Sequence, residues 1–172
     1  TAVAGGRIKV ACVGNSVTWG LTITDREKNC YPSQLQQMLG NQYEVKNFGH
    51  SGATLLSHGH RPYIDQKEYQ EALDFKADLV VIHLGLNDTD PRNWPEYSEE
   101  FNADYIRLID SFRQANPKAK IWLCQMTPIF DRHPRFESST RDWYDQIQRH
   151  ICQVAKAKIG RASCRERVCL YV

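Results

Sequence analysis

Four short apolar runs, rich in β-branched residues, recur along the chain and predict four buried strands. They occupy residues 8–13, 43–48, 78–84 and 120–125. The run at 78–84 is the most continuous of the four, whereas the run at 43–48 alternates apolar and polar side chains. Runs that are apolar along their length are typical of a sheet covered on both faces.

The segments between these runs have helical periodicity. Apolar residues recur every three or four positions over residues 31–39, 66–75, 98–114 and 140–158, which predicts four amphipathic helices. Gly40 ends the first helix, and Asn116-Pro117 ends the third. Strands that alternate with helices favour one α/β domain, in which right-handed crossovers join parallel strands.

Small and polar residues follow each predicted strand. The four clusters are GNSVTWG at 14–20, GHSGAT at 49–54, GLND at 85–88 and TPIFDRH at 127–133. Because parallel strands end at the same edge of a sheet, we expect the clusters to share the edge where open α/β sheets bind ligands.

These clusters contain the groups that acyl transfer from an ester requires. Such a reaction needs a nucleophile, and it needs donors for the charge that develops on the carbonyl oxygen. Ser16, in a glycine-flanked turn directly after the first strand, is the candidate nucleophile. The amides of Ser16 and Gly52 and the side chain of Asn87 are the candidate donors. The alternatives are a helix cap at Ser16 and ordinary turn roles for Gly52 and Asn87.

The blocks GNS, NFGHSGAT and HLGLND, which carry these three residues, resemble the SGNH hydrolases, also called GDSL esterases. The likeness spans residues 7–158 and is closest to bacterial carbohydrate esterases, including the sialate O-acetylesterase-like group. It implies a three-layer α/β/α fold of flavodoxin-like type, a Ser-His-Asp triad and no metal or cofactor. Asn15 stands where many relatives carry Asp, and we expect little chemical consequence because neither residue is the nucleophile.

The sequence departs from the family at its end. The family's Asp and His lie in a DxxH motif after a fifth strand, and this sequence has no DxxH and no fifth apolar run before residue 159. Residues 159–172, IGRASCRERVCLYV, resemble one translated frame of a common sequencing adapter. We therefore expect a hydrolase domain over residues 1–158, truncated in a metagenomic gene, and a non-native tail over 159–172. Such a chain is expected to be impaired, with its fourth strand left as an exposed edge.

Five further residues in the same loops are candidates for substrate binding: Trp19, Arg61, Arg92, Trp94 and His133. Aromatic rings and arginines suit a sugar ring and a carboxylate. His133 is also the first candidate for a makeshift base. Loop packing and surface charge are the alternative explanation for each residue.

The remaining histidines and the cysteines do not indicate a metal site or a disulfide framework. His83 lies inside the third strand and is expected to be a hydrogen-bonded core histidine. His58 and His60 have no apparent third ligand and are expected in an exposed loop. The six cysteines lack CxxC spacing, and a chain of 172 residues can bury a core without disulfides.

Charge and composition argue against two classes of binding partner. The net charge is +2 without a basic patch, which argues against nucleic acid, and no apolar run is long enough to span a membrane. The oligomeric state stays open. The resemblance to carbohydrate esterases leads us to expect a periplasmic or secreted protein, with a cytoplasmic location as the alternative.

These observations predict a serine esterase that hydrolyses acyl esters, in particular O-acetyl esters of carbohydrates. Its partner is a small-molecule or glycan acyl ester. The alternatives are a lysophospholipase or thioesterase of the same fold, and a catalytically inactive carbohydrate-binding fragment. The Trp, Arg, His and Asp residues of the loops favour a sugar ester over a long acyl chain, which needs an apolar channel.

Overall fold

The computed structural model describes residues 6–129 and 138–159. Four parallel strands form one sheet in the order β2-β1-β3-β4. The strands are β1 (Ile8–Gly14), β2 (Tyr43–Gly49), β3 (Leu79–His83) and β4 (Lys120–Leu123). All four predicted strands are therefore present, with ends that differ by one or two residues from the predicted ones.

The described residues contain seven α-helices. They are α1 (Ser16–Trp19), α2 (Arg26–Asn29), α3 (Tyr31–Leu39), α4 (Lys67–Phe75), α5 (Trp94–Tyr97), α6 (Phe101–Ala115) and α7 (Ser138–Lys158). The four predicted helices correspond to α3, α4, α6 and α7, and the predicted helix at 98–114 begins with a 3-10 turn over Ser98–Glu100. The pattern missed α1, α2 and α5, because one turn of helix is too short to show a period.

Helices cover both faces of the sheet, as the predicted α/β/α architecture requires. The helices α4, α6 and α7 contact one another in a row, and α4 packs on β1 and β2. The connection from β1 to β2 runs in the opposite direction along the sheet, so right-handed crossover places α1 and α3 on the other face. Successive residues of β2 confirm this, since Asn47 donates a hydrogen bond to α1 while the ring of Phe48 packs at a tilt against Phe75 of α4.

The core lies between the sheet and the row of helices. Ala11 and Val13 of β1 and Ile82 of β3 are completely buried. The aromatic rings of Phe101 and Tyr105 on α6 pack edge to face and are also completely buried. Burial of such large side chains supplies most of the favourable free energy of folding.

The two edges of the sheet differ. At β2, Gln36 of α3 occupies the free backbone groups, because its Oε1 accepts from the Val45 amide at 2.8 Å and its Nε2 donates to the Tyr43 carbonyl at 3.2 Å. At the other edge, β4 pairs with β3 alone within the part of the chain that the structure describes. The Trp122 side chain there is 55% exposed. Exposed edges of this kind are prone to association with other strands.

Four cysteines fall within the described residues: Cys12, Cys30, Cys124 and Cys152. The thiols of Cys12, Cys30 and Cys124 are free. Burial raises the pKa of the Cys12 thiol to about 12, so this thiol stays protonated and unreactive. No described helix has the length and apolarity needed to cross a bilayer.

Candidate active site

Ser16 is the first residue of α1, directly beyond the end of β1. Asn15 caps this helix, and its buried Oδ1 accepts a hydrogen bond from the Val17 amide at 3.0 Å. Ser16 is half-buried, and its side chain is not needed for the cap. The residue that caps the helix is therefore Asn15, and the alternative role of Ser16 as a helix cap does not apply.

The end of β2 holds α1 in place. Asn47 donates from Nδ2 to the Thr18 carbonyl at 2.8 Å. Gly49 passes so close that a Cβ on it would lie 2.3 Å from the Trp19 amide nitrogen. Only glycine permits this approach, which fixes the turn that carries Ser16 against the sheet.

The loop with Gly52 begins beside the same turn. The His50 amide donates to the Gly14 carbonyl at 2.9 Å, which continues the pairing of β1 and β2 past the ends of both strands. Gly52 has φ of +81°, in the left-handed region that favours glycine. Gly52 therefore serves as a turn glycine, and this role is compatible with the predicted role of its amide as an oxyanion donor.

Asn87 joins this loop from the end of β3. Its Nδ2 donates to the Ala53 carbonyl at 2.9 Å, one residue from Gly52. The Asn87 carbonyl accepts from Nδ2 of the buried Asn93 at 2.9 Å, which holds the 3-10 turn Leu86–Thr89. A primary amide has two hydrogens, so the contact with Ala53 leaves a second donor for a ligand.

Sequence reasoning missed a set of acceptors that hold the backbone after Gly52. The completely buried carboxylate of Asp88 accepts from the Leu55 amide at 3.0 Å and the Leu56 amide at 2.8 Å. Asp104 of α6, which also pairs with Arg107, accepts from the Ser57 amide at 2.7 Å. Asp88 follows Asn87 directly, but no local pattern shows that its partners lie more than thirty residues earlier.

We expect Asp88→Asn to change the dependence of stability on pH. Burial raises the pKa of Asp88 from its ordinary 3.8 to about 6. The pKa of Asp88 is higher in the folded state than in the unfolded state. Its contribution to the free energy of unfolding is therefore fully present below pH 3.8 and is lost as pH rises through about 6. As the pH falls from about 7 to about 4, wild type should gain up to about 3 kcal/mol in unfolding free energy relative to the variant. Urea unfolding across this range measures the difference, and a difference independent of pH would contradict the expectation.

His83 provides the control because its effect has the opposite sign. It is buried, as expected, and its Nε2 accepts from the Thr127 amide at 3.3 Å. Burial lowers the pKa of His83 from 6.5 to about 4, so its contribution is present above pH 6.5 and is lost as pH falls through about 4. Wild type should therefore lose stability relative to His83→Gln over the range in which it gains relative to Asp88→Asn.

Two of the residues predicted to bind substrate lie beside this site. Trp19 belongs to the same short helix as Ser16 and is half-buried, with the Arg26 guanidinium 4.4 Å from its ring centre. Arg61 is exposed, and its Nη1 donates to the Ser51 carbonyl at 3.1 Å, next to Gly52. Both lie in or against the loops of the candidate site, and their contact with substrate stays a prediction.

A third predicted residue, Arg92, is exposed but already paired. Its Nε and Nη2 donate to the two carboxylate oxygens of Asp90 at 2.9 and 2.7 Å. Hydrogen bonding from Arg92 lowers the pKa of Asp90 to about 2. A substrate carboxylate would have to compete with Asp90, so Arg92 is a weaker candidate for recognition than its exposure suggests.

The expectation that Trp94 contacts substrate needs correction. Its side chain is 3% exposed, and its indole donates to Gln146 of α7 at 2.9 Å. The ring packs edge to face on Phe101 and His150, inside the layer of helices. Trp94 therefore joins α5 to α6 and α7, because a large amphipathic ring gains more from burial than from exposure in a loop.

The chain has six histidines, and His133 lies outside the described residues. Among the described ones, a ring nitrogen of each has a partner away from Ser16: His50 with Glu68, His58 with Glu100, His60 with Asn93, His83 with Thr127 and His150 with Asn102. Within residues 6–129 and 138–159 no histidine is hydrogen-bonded to Ser16, and no metal-binding group of side chains is found. The described residues thus hold the candidate nucleophile and the candidate donors of an acyl-transfer site.

A parallel α/β/α sheet with a serine turn and small polar loops at its carboxyl edge is typical of the class of ester hydrolases. The GDSL-like lipase/acylhydrolase family profile matches residues 12–161, and the chain belongs to this family of carboxylic ester hydrolases.

A curated relative is similar to part of this chain. An acetylxylan esterase of Xylanibacter ruminicola is 49% identical over 106 residues, which are 62% of this chain and 22% of that protein. The chain thus spans about a fifth of the length of this curated relative.

Solved structures agree on the fold. The acetyl xylan esterase AlAXEase is 21% identical, with a TM-score of 0.64 over 87% of this chain and 73% of its own. A family two carbohydrate esterase from Clostridium thermocellum, solved with cellohexaose, is 17% identical. Its TM-score is 0.64 over 91% of this chain and 52% of its own. At these identities the likeness shows the fold, which is the predicted one.

Proposed function

We propose that this chain carries the nucleophile and the oxyanion-binding donors of a serine esterase that removes O-acetyl groups from carbohydrates. The observation that carries the proposal is the hydrogen bond of 2.9 Å from Asn87 Nδ2 to the Ala53 carbonyl. Together with the bond from His50 to Gly14, it brings the loops of Asn87, Gly52 and Ser16 to one end of the sheet. Nucleophile and donors from three loops are the arrangement that acyl transfer requires.

In the proposed reaction, Ser16 Oγ attacks the acyl carbon and loses its proton to a base. The carbonyl oxygen becomes an oxyanion, which the Ser16 and Gly52 amides and the Asn87 side chain stabilise. Collapse of this intermediate expels the sugar oxygen, which takes up a proton, and leaves an acyl group on Ser16. A water molecule then attacks the acyl-enzyme and releases acetate, which restores the serine.

Among the described residues of this chain, no histidine is placed to act as the base for Ser16. The sequence contains no DxxH motif, and the described histidines are engaged elsewhere. We therefore propose that the chain is impaired relative to a family member that carries this motif. His133, which follows β4 in sequence, remains the first candidate for a residual base.

Support for a short acyl group on a sugar comes from the surroundings of Ser16. Trp19 and Arg61 are an aromatic ring and a cation beside the site, whereas a long acyl chain needs an extended apolar groove. The acetylxylan esterase among the relatives points to the same substrate class. A polysaccharide substrate would place the protein in the periplasm or outside the cell.

The test compares acyl chain lengths and a polymer. We expect 4-nitrophenyl acetate to be hydrolysed at least about tenfold faster than the octanoate ester, and acetylated xylan to release acetate. Initial rates and acetate release measure both quantities. A rate that rises with chain length would favour the lysophospholipase or thioesterase alternative. Binding of acetylated xylan without turnover would favour the carbohydrate-binding fragment.

A further inference from the structure

The Arg61 guanidinium lies directly on the Ser51–Gly52 peptide. Its Nη1 donates to the Ser51 carbonyl at 3.1 Å. A Cβ built on Gly52 would lie 2.9 Å from the same nitrogen, so the guanidinium occupies the space beside the Gly52 α-carbon. This position sets Arg61 apart from an arginine that extends into solvent.

The Ser51 carbonyl and the Gly52 N–H belong to one peptide group. A cationic donor on the carbonyl oxygen draws electron density from the peptide and strengthens its N–H as a donor, because hydrogen bonds in a chain polarise one another. The Gly52 N–H is one of the three predicted oxyanion donors. Arg61 therefore binds the carbonyl end of the peptide dipole whose N–H end is predicted to face the oxyanion.

The backbone of Arg61 is anchored, although its side chain is exposed. The Thr54 amide donates to the Arg61 carbonyl at 2.8 Å, and the Tyr63 amide donates to the Thr54 carbonyl at 2.9 Å. These bonds fold residues 61–63 back along the loop after Gly52, which gives the guanidinium a short path to Ser51. The placement of the side chain thus follows from the loop.

The charge of Arg61 is not neutralised by a carboxylate within the part of the chain that the structure describes. Arg92, in a neighbouring loop, shows the contrast because Asp90 holds it with two hydrogen bonds. An unpaired cation beside the Gly52 amide also favours an oxyanion by direct attraction.

We infer that Arg61 is a positioning residue for the oxyanion-binding site, and that it fixes and polarises the Ser51–Gly52 peptide through the Ser51 carbonyl. The inference rests on the proposed function, since it gives the Gly52 amide a role in catalysis. It assigns Arg61 an effect on every ester, whether or not the substrate carries a charge.

The experiment uses the full chain with Arg61→Met, Arg61→Lys and the control Arg113→Met. Arg113 also donates to a backbone carbonyl, that of Lys158 at 2.8 Å, but it lies on α6. The neutral ester 4-nitrophenyl acetate reports kcat and KM. The amide proton shift of Gly52, from 15N-labelled protein, reports the polarity of the peptide without any need for turnover.

We expect Arg61→Met to lower kcat about tenfold with little change in KM, which is less than the loss of a whole oxyanion donor. The Gly52 amide proton should move upfield, Arg61→Lys should restore part of both effects, and Arg113→Met should leave both unchanged. A Gly52 shift equal to that of wild type in Arg61→Met would overturn the inference. So would a loss that appears in KM alone, which would make Arg61 a substrate contact.

The two proposals can fail separately. If Ser16→Ala leaves the hydrolysis rate of wild type unchanged, the proposed function is wrong and the catalytic role of Arg61 falls with it. If the rate depends on Ser16 but neither kcat nor the Gly52 shift responds to Arg61→Met, only the inference on Arg61 is overturned.

Discussion

Replacing Ser16 by alanine is expected to lower the catalysed hydrolysis of 4-nitrophenyl acetate by about tenfold or more, which is less than in an enzyme with a complete triad, because the serine and its base act as a unit. The variant lacks the oxygen that attacks the acyl carbon, while the donors around it remain. Its fold should persist, because Asn15 rather than Ser16 caps α1 and Ser16 is half-buried at the first helical position. Initial rates at matched concentrations of folded protein measure the effect.

The control for this prediction is Ser111→Ala. Ser111 is a helical serine whose Oγ donates to the Leu108 carbonyl at 2.7 Å on α6, which belongs to the helical layer covering the opposite face of the sheet from α1. Its removal should leave the rate unchanged. Mass spectrometry after reaction with a slowly hydrolysed ester should find the acyl group on the peptide that contains Ser16. Full activity in Ser16→Ala, or an acyl group elsewhere, would mean that another residue is the nucleophile.

Replacing Gly49 by alanine is expected to lower the free energy of unfolding by about 3 kcal/mol. The added Cβ would lie 2.3 Å from the Trp19 amide nitrogen and 2.8 Å from the Thr18 carbonyl carbon. Both are backbone atoms of α1, and Asn47 also binds that helix, so neither atom can rotate away as a side chain would. Relief of the clash requires β2 and α1 to separate, which also displaces Ser16.

Urea unfolding compares this variant with Gly6→Ala, where no atom lies within 4 Å of the added Cβ. Neither glycine has a φ in the left-handed region, so the two variants differ in contact rather than in backbone strain. Gly6→Ala should unfold like wild type. Equal stability of the two variants would show that α1 is not pressed against the end of β2.

The fold was largely predictable, and the reason is periodicity. Apolar runs identified the four strands, and spacing of three or four identified α3, α4, α6 and α7. These signals are local, because burial on one face repeats with the geometry of the element itself. The short helices α1, α2 and α5 carry no such repeat, and capping at Asn15 and contacts with β2 determine α1 instead.

The candidate site was predictable only in part. Ser16, Gly52 and Asn87 follow three different strands, and the rule that parallel strands end at one edge was enough to group them. Trp94 also follows a strand in sequence, yet it begins α5 and its ring is buried against α7. The position of a residue after a strand does not reveal whether its side chain faces the candidate site or packs between helices.

The sequence by itself determined the α/β class and the succession of the strands and longer helices, and it supplied Ser16 as the candidate nucleophile, since each depends on residue type and short spacing. Only the tertiary structure decided how the loop after Gly52 is held, because Asp88 and Asp104 bind backbone amides more than thirty positions away. It also decided that Arg61 lies on the Ser51–Gly52 peptide. Contacts between segments so far apart depend on the packing of the whole sheet and its helices, which no local pattern encodes.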